Sequence, residues 1–257
     1  MQYSTFAAID IGSYDVILEI FEISKKQGIR SVDKICHRME LGKDTYTLRK
    51  IRPEMEEELC RVLADFVRIM EGYRVDAYRA MASSAISEAA NSLYVLGKIR
   101  QLTGLSVTVL SNSEQRFLGY KALAAMEDNF NKIIEKGTAI LDLDGGSFQI
   151  SLFDKDALVT TQNIRMGSLR IRERLAGIQS ETEHYEEMVE ELIWNEVSSF
   201  KKMYLKDRKI ENIMLIGDVF TDSVYQNIEE KRQKSFPAKT LIPGMRKLFA
   251  SHRWSSP

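Results

Sequence analysis

The sequence has little of what builds metal clusters, disulfide frameworks or membrane spans. Its 257 residues include two cysteines and three histidines, and neither Cys36 with Cys60 nor the scattered histidines have metal-site spacing. No stretch reaches the roughly 18 apolar residues that a membrane-spanning helix needs. The net charge is −1, without the clustered basic surface of a nucleic-acid binder. Together with an N-terminus unlike a signal peptide, these absences predict a cytoplasmic protein without nucleic-acid or membrane partners.

What the sequence does contain is an alternation of strand and helix patterns. Phe6 to Ile11 and Val16 to Ile23 are apolar and β-branched, which predicts an opening hairpin. Pro53 begins a run of apolar residues at helical spacing, and another helix is predicted from Ser84 to about Leu102. Short strands are predicted at "SVTVL" and "NIMLIG". Strands that alternate with helices indicate an α/β fold.

Two S-x-x-E patterns predict helix starts of the capping-box type, in which the serine and the glutamate bond each other's backbone amides. One is Ser111 with Glu114, and the other is Ser180 with Glu183. The second precedes "HYEEMVEELIWNEVSSF", whose apolar residues define one helical face. Both patterns therefore predict helices that begin at these serines.

Two glycine turns resemble each other. Asp10-Ile11-Gly12-Ser13 and Asp142-Leu143-Asp144-Gly145-Gly146-Ser147 each follow an apolar strand. Glycine lets backbone N–H groups approach an anion, and the aspartates could hold a divalent ion beside it. Either turn alone would more often be an ordinary hairpin. One such turn near the start of each half favours a pair of phosphate loops.

Six ordered segments then resemble one family. They are "AAIDIGSYD", "MELGKD", "AMASSAISEAAN", "VLSNSEQRFLGYKAL", "LDLDGGSFQIS" and "IRMGSLRIRERL". Their order and approximate spacing are similar to those of the exopolyphosphatase/guanosine pentaphosphate phosphohydrolase (Ppx/GppA) family, which belongs to the actin-like ATPase and sugar-kinase superfamily. The resemblance implies Mg²⁺-dependent hydrolysis of phosphoanhydride bonds in polyphosphate or guanosine pentaphosphate.

The resemblance also implies an architecture and a set of site residues. It implies two ribonuclease-H-like domains, residues 1–130 and 131–257, with a phosphate-binding cleft between them and a second domain incomplete at its C-terminus. Asp10 and Asp142 would hold the metal, with Asp144 as a further candidate ligand. The implied phosphate-binding residues are Gly12, Ser13, Gly145, Gly146 and Ser147.

The sequence departs from the family pattern where chemistry is expected. Ser87 stands where the family has a phosphate-binding arginine, and Gln149 stands where it has a glutamate. Gln115 occupies the position of the general base, and the adjacent Glu114 is assigned to the capping box. An amide cannot accept a proton from attacking water, so hydrolysis is expected to be weak or absent unless a carboxylate, Glu88 or Asp15, substitutes.

Three functions remain open from the sequence. The first is a weak or inactive hydrolase of the Ppx/GppA type, and the second is a pseudoenzyme that binds phosphate, polyphosphate or a nucleotide as a regulatory module. The third is an ATP-dependent kinase, disfavoured because "IGDVF" lacks the paired glycines of an adenosine-binding turn. The oligomeric state is also open, with a homodimer as one alternative.

Overall fold

The computed structural model of the chain describes residues 3–127, 129–179, 184–206, 208–217 and 235–237. Within these residues it contains two five-stranded sheets and eight helices, which confirms the predicted α/β class. The chain divides into two compact units, Met1–Leu118 and Gly119–Pro257. The functional division at residue 130 and the interdomain cleft stay predictions.

The first unit contains a mixed sheet whose central strand pairs with one antiparallel and one parallel neighbour. In sheet order its strands are β3 (Gly28–Arg38), β2 (Asp15–Ser24), β1 (Ser4–Ile11), β4 (Ala77–Ala82) and β5 (Val107–Val109). The opening hairpin is confirmed, because β1 and β2 pair antiparallel up to Ile11 opposite Val16. β3 was not predicted from the sequence, because none of its residues is buried and it lacks the apolar run of β1 and β2.

Helices cover the face of this sheet that carries Ile9 and Ile11. They are α1 (Leu41–Leu48), α2 (Pro53–Gly72), α3 (Ser84–Ser87) and α4 (Ser92–Thr103). The predicted start of α2 at Pro53 is confirmed, and Leu59 and Leu63 on α2 are fully buried in the core with Ile9. Proline suits this position because the first helical N–H has no intrahelical acceptor.

The single helix predicted from Ser84 to about Leu102 is wrong. The chain instead forms α3 and α4, with a break at residues 88–91. The side-chain amide of Asn91 accepts a hydrogen bond from Ile51 N at 3.0 Å and donates to Ile51 O at 2.8 Å. It also donates to the buried carboxylate of Glu56 at 2.8 Å. The backbone also departs from the helical pattern here, because Ala90 N donates to Arg49 O at 2.8 Å instead of to the carbonyl four residues earlier. These tertiary bonds stabilise the break between the two helices.

The second unit also contains a mixed sheet, and helices pack on both of its faces. In sheet order its strands are β10 (Ser235–Pro237), β9 (Asn212–Ile216), β6 (Thr138–Leu143), β7 (Phe148–Asp154) and β8 (Ala157–Ile164). Its helices are α6 (Phe130–Ile134), α7 (Ser168–Gln179) and α8 (Tyr185–Tyr204), while α5 (Asn112–Met126) contains the boundary between the units. Val189 and Leu192 on α8 pack with Leu175 on α7, and Val197 packs with the cluster of Leu143 and Leu152 in the sheet. These contacts confirm the predicted apolar face of α8.

One sequence prediction lies wholly outside the described residues and another lies partly outside them. The capping pair Ser180 and Glu183 lies there, as do residues 238–257 at the C-terminus of the second predicted domain. None of the helices in the described part of the chain is both long and apolar enough to cross a bilayer.

Candidate functional site

The two glycine turns close in the same way. In the first turn Gly12 N donates to Asp15 O at 2.9 Å, and in the second Asp144 N donates to Ser147 O at 3.0 Å. Each closure begins at the residue directly after the first strand of its sheet, β1 or β6. By this geometry Asp144 is the counterpart of Gly12, and Asp142 is the counterpart of Asp10. The similarity seen in the sequence is therefore a similarity of backbone conformation.

The N-terminus of α7 fixes the second turn. Ser168 N donates to Asp144 O at 3.2 Å, and Arg170 N donates to Gly145 O at 3.1 Å. The Arg170 Nε donates to Gly146 O at 2.9 Å. Three successive carbonyls of the turn therefore face α7. Ser168 and Arg170 belong to the "IRMGSLRIRERL" segment, from which no contact with the turn was predicted.

In the same three peptides the N–H groups point away from the carbonyls that bond α7, which leaves them available to bind an anion. The N–H groups of Gly145, Gly146 and Ser147 donate to no backbone carbonyl among the described residues. Successive N–H groups in a turn form a concavity that binds anions. Both glycines are buried, so this concavity lies against a low-dielectric interior that strengthens its attraction for an anion.

Two further glycines allow the close packing of this turn. A Cβ on Gly167, the residue before α7, would lie 2.4 Å from the carbonyl oxygens of Asp144 and Gly145. A Cβ on Gly217 would lie 2.1 Å from Leu143 O, and its φ of +119° also disfavours any side chain. A glycine directly before a helix is the sequence signal that could have identified Gly167.

A polar row crosses three strands beside the second turn. Asp142 on β6 lies directly opposite Gln149 on β7, and Gln149 lies directly opposite Asn163 on β8. Residues directly opposite in antiparallel strands share one sheet face, with Cβ atoms about 5 Å apart. The Asn163 Nδ2 donates to Ser147 Oγ at 3.2 Å. The row therefore links the predicted metal ligand Asp142 to the predicted phosphate ligand Ser147.

Three hydroxyl groups support the first turn. Ser13 Oγ lies 2.6 Å from Tyr46 Oη and 3.3 Å from Ser84 Oγ, and Tyr46 Oη lies 2.8 Å from Ser84 Oγ. Ser13 is buried, and its carbonyl accepts a hydrogen bond from Gly42 N at 2.9 Å. The predicted ligand Ser13 thus also links the first turn to α1 through Tyr46 and to α3 through Ser84. Neither Tyr46 nor Ser84 was identified from the sequence.

Replacing Tyr46 by phenylalanine tests this link. The change removes the hydroxyl that contacts both serines and leaves Ser13 with the longer contact to Ser84. We expect the free energy of unfolding to fall by about 1 kcal/mol, measured by urea denaturation. Tyr94→Phe is the control, because Tyr94 is 63% exposed on α4 and its loss of a hydroxyl should have no measurable effect. Equal stability of the two variants would contradict the structural role.

Arg38 places a guanidinium beside the first turn. Ser87, at the position of the family's phosphate-binding arginine, provides none. Ser87 is exposed at the end of α3. The Arg38 Cζ lies 4.3 Å from the ring centroid of Tyr14, and its Nη2 bonds the Tyr14 hydroxyl. Arg38 also forms an ion pair with Glu40 at 3.3 Å. A cation over an aromatic ring is attracted by the negative ring face, so Tyr14 and Glu40 hold the Arg38 guanidinium beside the first turn, and Glu40 offsets its charge.

The capping box at the start of α5 is confirmed. Glu114 Oε2 accepts hydrogen bonds from Ser111 N at 2.9 Å and Ser111 Oγ at 2.7 Å, and Glu114 N donates to Ser111 Oγ at 3.3 Å. The backbone hydrogen bond from Ser111 lowers the pKa of the Glu114 carboxyl, because it stabilises the ionised form. Gln115, one residue later, is half-buried in the first turn of the helix. The Glu114 carboxylate thus caps the N-terminus of α5.

The donor set of the turns fits Mg²⁺ bound together with phosphate. Asp10, Asp142 and Asp144 offer carboxylate oxygens, the donors that Mg²⁺ prefers. No group of three or more His, Cys, Asp or Glu side chains in the described residues is arranged to hold a metal ion. Mg²⁺ commonly binds through one or two carboxylates, water and substrate phosphates rather than in a protein cage. The chemistry of the second turn, with Asp142 and Asp144, agrees with that mode.

One curated protein is similar to this chain over most of the chain's length. The "Bifunctional 3-dehydroquinate synthase/phosphatase" of Fusobacterium nucleatum is 22% identical in an alignment of 240 residues that covers 88% of this chain and 34% of that protein. The chain therefore spans about a third of the length of this curated relative.

Solved structures show the same fold. The Aquifex aeolicus Ppx/GppA family member is 21% identical, with a TM-score of 0.66 over 90% of this chain and 72% of that one. An exopolyphosphatase from Cytophaga hutchinsonii is 20% identical, with a TM-score of 0.68 over 90% and 72% of the two chains. These likenesses show an actin-like ATPase fold. The sequence model of the Ppx/GppA phosphatase family matches residues 19–250, and this chain belongs to that family.

Proposed function

We propose that this chain is a phosphoanhydride hydrolase of the Ppx/GppA type that binds polyphosphate or guanosine pentaphosphate and turns it over weakly or not at all. The observation that carries the proposal is the second turn, where α7 holds three carbonyls and leaves three N–H groups for an anion. The first turn, with the same closure at Gly12, is proposed as a second phosphate loop.

Each turn has a role in binding. The N–H groups of Gly145, Gly146 and Ser147 would hold phosphate oxygens, and Asp142 and Asp144 would hold Mg²⁺. When bound, Mg²⁺ neutralises phosphate charge and stabilises the charge that develops during hydrolysis. In the first turn Ser13 would contribute the corresponding N–H group, with Asp10 as the metal ligand, while Gly12 would let the backbone approach the phosphate because its own N–H closes the turn on Asp15 O. Each turn would orient phosphate and leave the water to be activated by another group.

Activation of water is the step that this chain performs poorly. A general base contributes about 10²- to 10⁴-fold to a rate. Gln115 has no proton-accepting carboxylate, and Glu114 is engaged as the helix cap. Gln149 also lacks the carboxylate that the family carries next to Asp142. We therefore propose that this chain has kept phosphate binding and has lost most or all of its hydrolytic activity.

The second candidate is a pseudoenzyme that senses phosphate, polyphosphate or a nucleotide. It is favoured by four departures from the family pattern. Ser87, Gln115 and Gln149 stand where the family has charged residues, and Asp144 stands where it has a glycine. The phosphate-binding turns do not require any of the three neutral residues for their backbone geometry. A binding module could therefore persist after the loss of turnover.

Phosphate release and ligand binding measured in parallel separate these functions. We expect Mg²⁺-dependent binding of polyphosphate or guanosine pentaphosphate by calorimetry, with phosphate release far below the roughly 1 to 10³ s⁻¹ of ordinary enzymes. Binding without any release would favour the sensor. Turnover in the ordinary range would contradict the role given to Gln115, and absence of both binding and release would contradict the phosphate-loop assignment.

A further inference from the structure

A cavity of about 730 Å³ lies in the second unit, away from the phosphate turn. It is formed by three connections, from α6 to β6, from β7 to β8, and from α8 to β9. These connections meet where β6 begins at Thr138, whereas the phosphate turn follows the end of β6 at Leu143. Six residues of strand separate the two by about 20 Å. The cavity is therefore a different place from the proposed phosphate loops.

Backbone contacts hold the three connections together. Glu211 N donates to Gly137 O at 2.7 Å, and Lys155 N donates to Glu135 O at 3.1 Å. A Cβ on Gly137 would lie only 2.0 Å from Lys209 O, so these two segments of the backbone approach so closely that only glycine fits at residue 137. The cavity wall thus has a fixed backbone from which its side chains extend.

The side chains that line this cavity carry an excess of positive charge. Among its described lining residues are five lysines and arginines against three acids. Arg208 pairs with Asp154 at 3.2 Å, while Lys136 and Lys209 share Glu211 at 3.6 and 3.7 Å. The other two, Lys155 and Lys206, form no ion pair with any described residue.

We propose that this cavity binds a small anion with two or more linked phosphates. The two cations without an ion pair among the described residues come from separate connections, Lys155 from the β7–β8 turn and Lys206 from the segment after α8. The remaining acid of the described lining, Glu135, balances the charge of only one of them. Because ammonium groups act as point charges, an anion with several charged phosphates engages them together better than a single phosphate does. The wall also includes Tyr204, whose hydroxyl can donate a hydrogen bond to a phosphate oxygen. The inference does not rest on the proposed hydrolytic function.

Calorimetric titration with tripolyphosphate tests the proposal. The titration uses the full chain at low salt in EDTA, so that binding which requires Mg²⁺ does not contribute. Lys155→Gln/Lys206→Gln should weaken binding about tenfold, since each removed cation loses one charge-assisted contact at an exposed site. Both side chains are exposed, so the variant should fold. The matched control is Lys201→Gln/Lys202→Gln, which removes the same charge from exposed positions on α8 outside the cavity.

The outcomes separate the proposal from its competitors. Unchanged binding in Lys155→Gln/Lys206→Gln would overturn it, and an equal loss in the control would mean that only net charge matters. Orthophosphate bound as tightly as tripolyphosphate would overturn the linked-phosphate class. ATP as a further probe distinguishes a nucleotide source from an inorganic one. Loss of Mg²⁺-dependent binding at the turns would leave this titration unaffected, so failure of the proposed function and failure of this site are distinguishable.

Discussion

Replacing Gln115 by glutamate should raise phosphate release from polyphosphate by about 10²- to 10⁴-fold, the contribution of a general base. Gln115 lies in the first turn of α5, where the positive end of the helix dipole favours an ionised carboxylate. An ionised carboxylate can accept the proton of water, whereas the amide cannot. The rate is measured as released phosphate in saturating polyphosphate with Mg²⁺. The adjacent cap at Glu114 should be retained, because the substitution leaves Ser111 unchanged.

A matched substitution controls for added charge. Gln101→Glu makes the same chemical change at an exposed position of α4 and should leave phosphate release at the wild-type level. If Gln115→Glu alone gives no gain, the same change combined with Ser87→Arg tests whether substrate binding limits the rate, because a base acts only on a positioned phosphate. No gain in the combined variant would contradict the assignment of Gln115 to the base position.

Replacing Gly167 by alanine should destabilise the second unit by about 3 kcal/mol and abolish phosphate binding at its turn. The new Cβ would overlap carbonyl atoms of Asp144 and Gly145 at 2.4 Å. Backbone atoms cannot swing aside as a side chain can, so the start of α7 and the turn must move apart. The change in the free energy of unfolding is measured by urea denaturation, and the loss of binding by calorimetry with Mg²⁺ and polyphosphate.

Gly97 provides the control for this substitution. It lies within α4, and a Cβ built there meets no atom within 4 Å. Gly97→Ala should therefore stabilise the chain by about 0.5 to 1 kcal/mol, as alanine restricts the unfolded chain and favours a helix. If Gly167→Ala proves as harmless as Gly97→Ala, the close contact of α7 with the turn is not needed for stability.

Local sequence signals predicted the elements that depend on local chemistry. Pro53 marked the start of α2, and Ser111 with Glu114 marked the start of α5. The predictions failed where distant residues decide the structure. The break between α3 and α4 depends on Asn91, whose amide bonds Ile51 forty residues away in the chain. No pattern within the segment from Ser84 to Leu102 contains that information.

The candidate site shows the same division. Asp10, Asp142 and the glycines of the two turns were recognisable because they occur together in short motifs. Tyr46 and Ser84 were not, since their contacts with Ser13 join residues 33 and 71 positions away. The cations of the cavity were also missed, because three connections that are separate in sequence bring them together.

The attachment of α7 to the second turn has a consequence for binding kinetics. Because Ser168 and Arg170 already order the peptides from Asp144 to Gly146, an arriving anion finds its donors in place and loses little affinity to loop ordering. Association should then proceed without a slow conformational step, and ligands of different chain length should differ mainly in how long they stay bound. Residence time, rather than capture rate, becomes the property by which this turn distinguishes one phosphate compound from another.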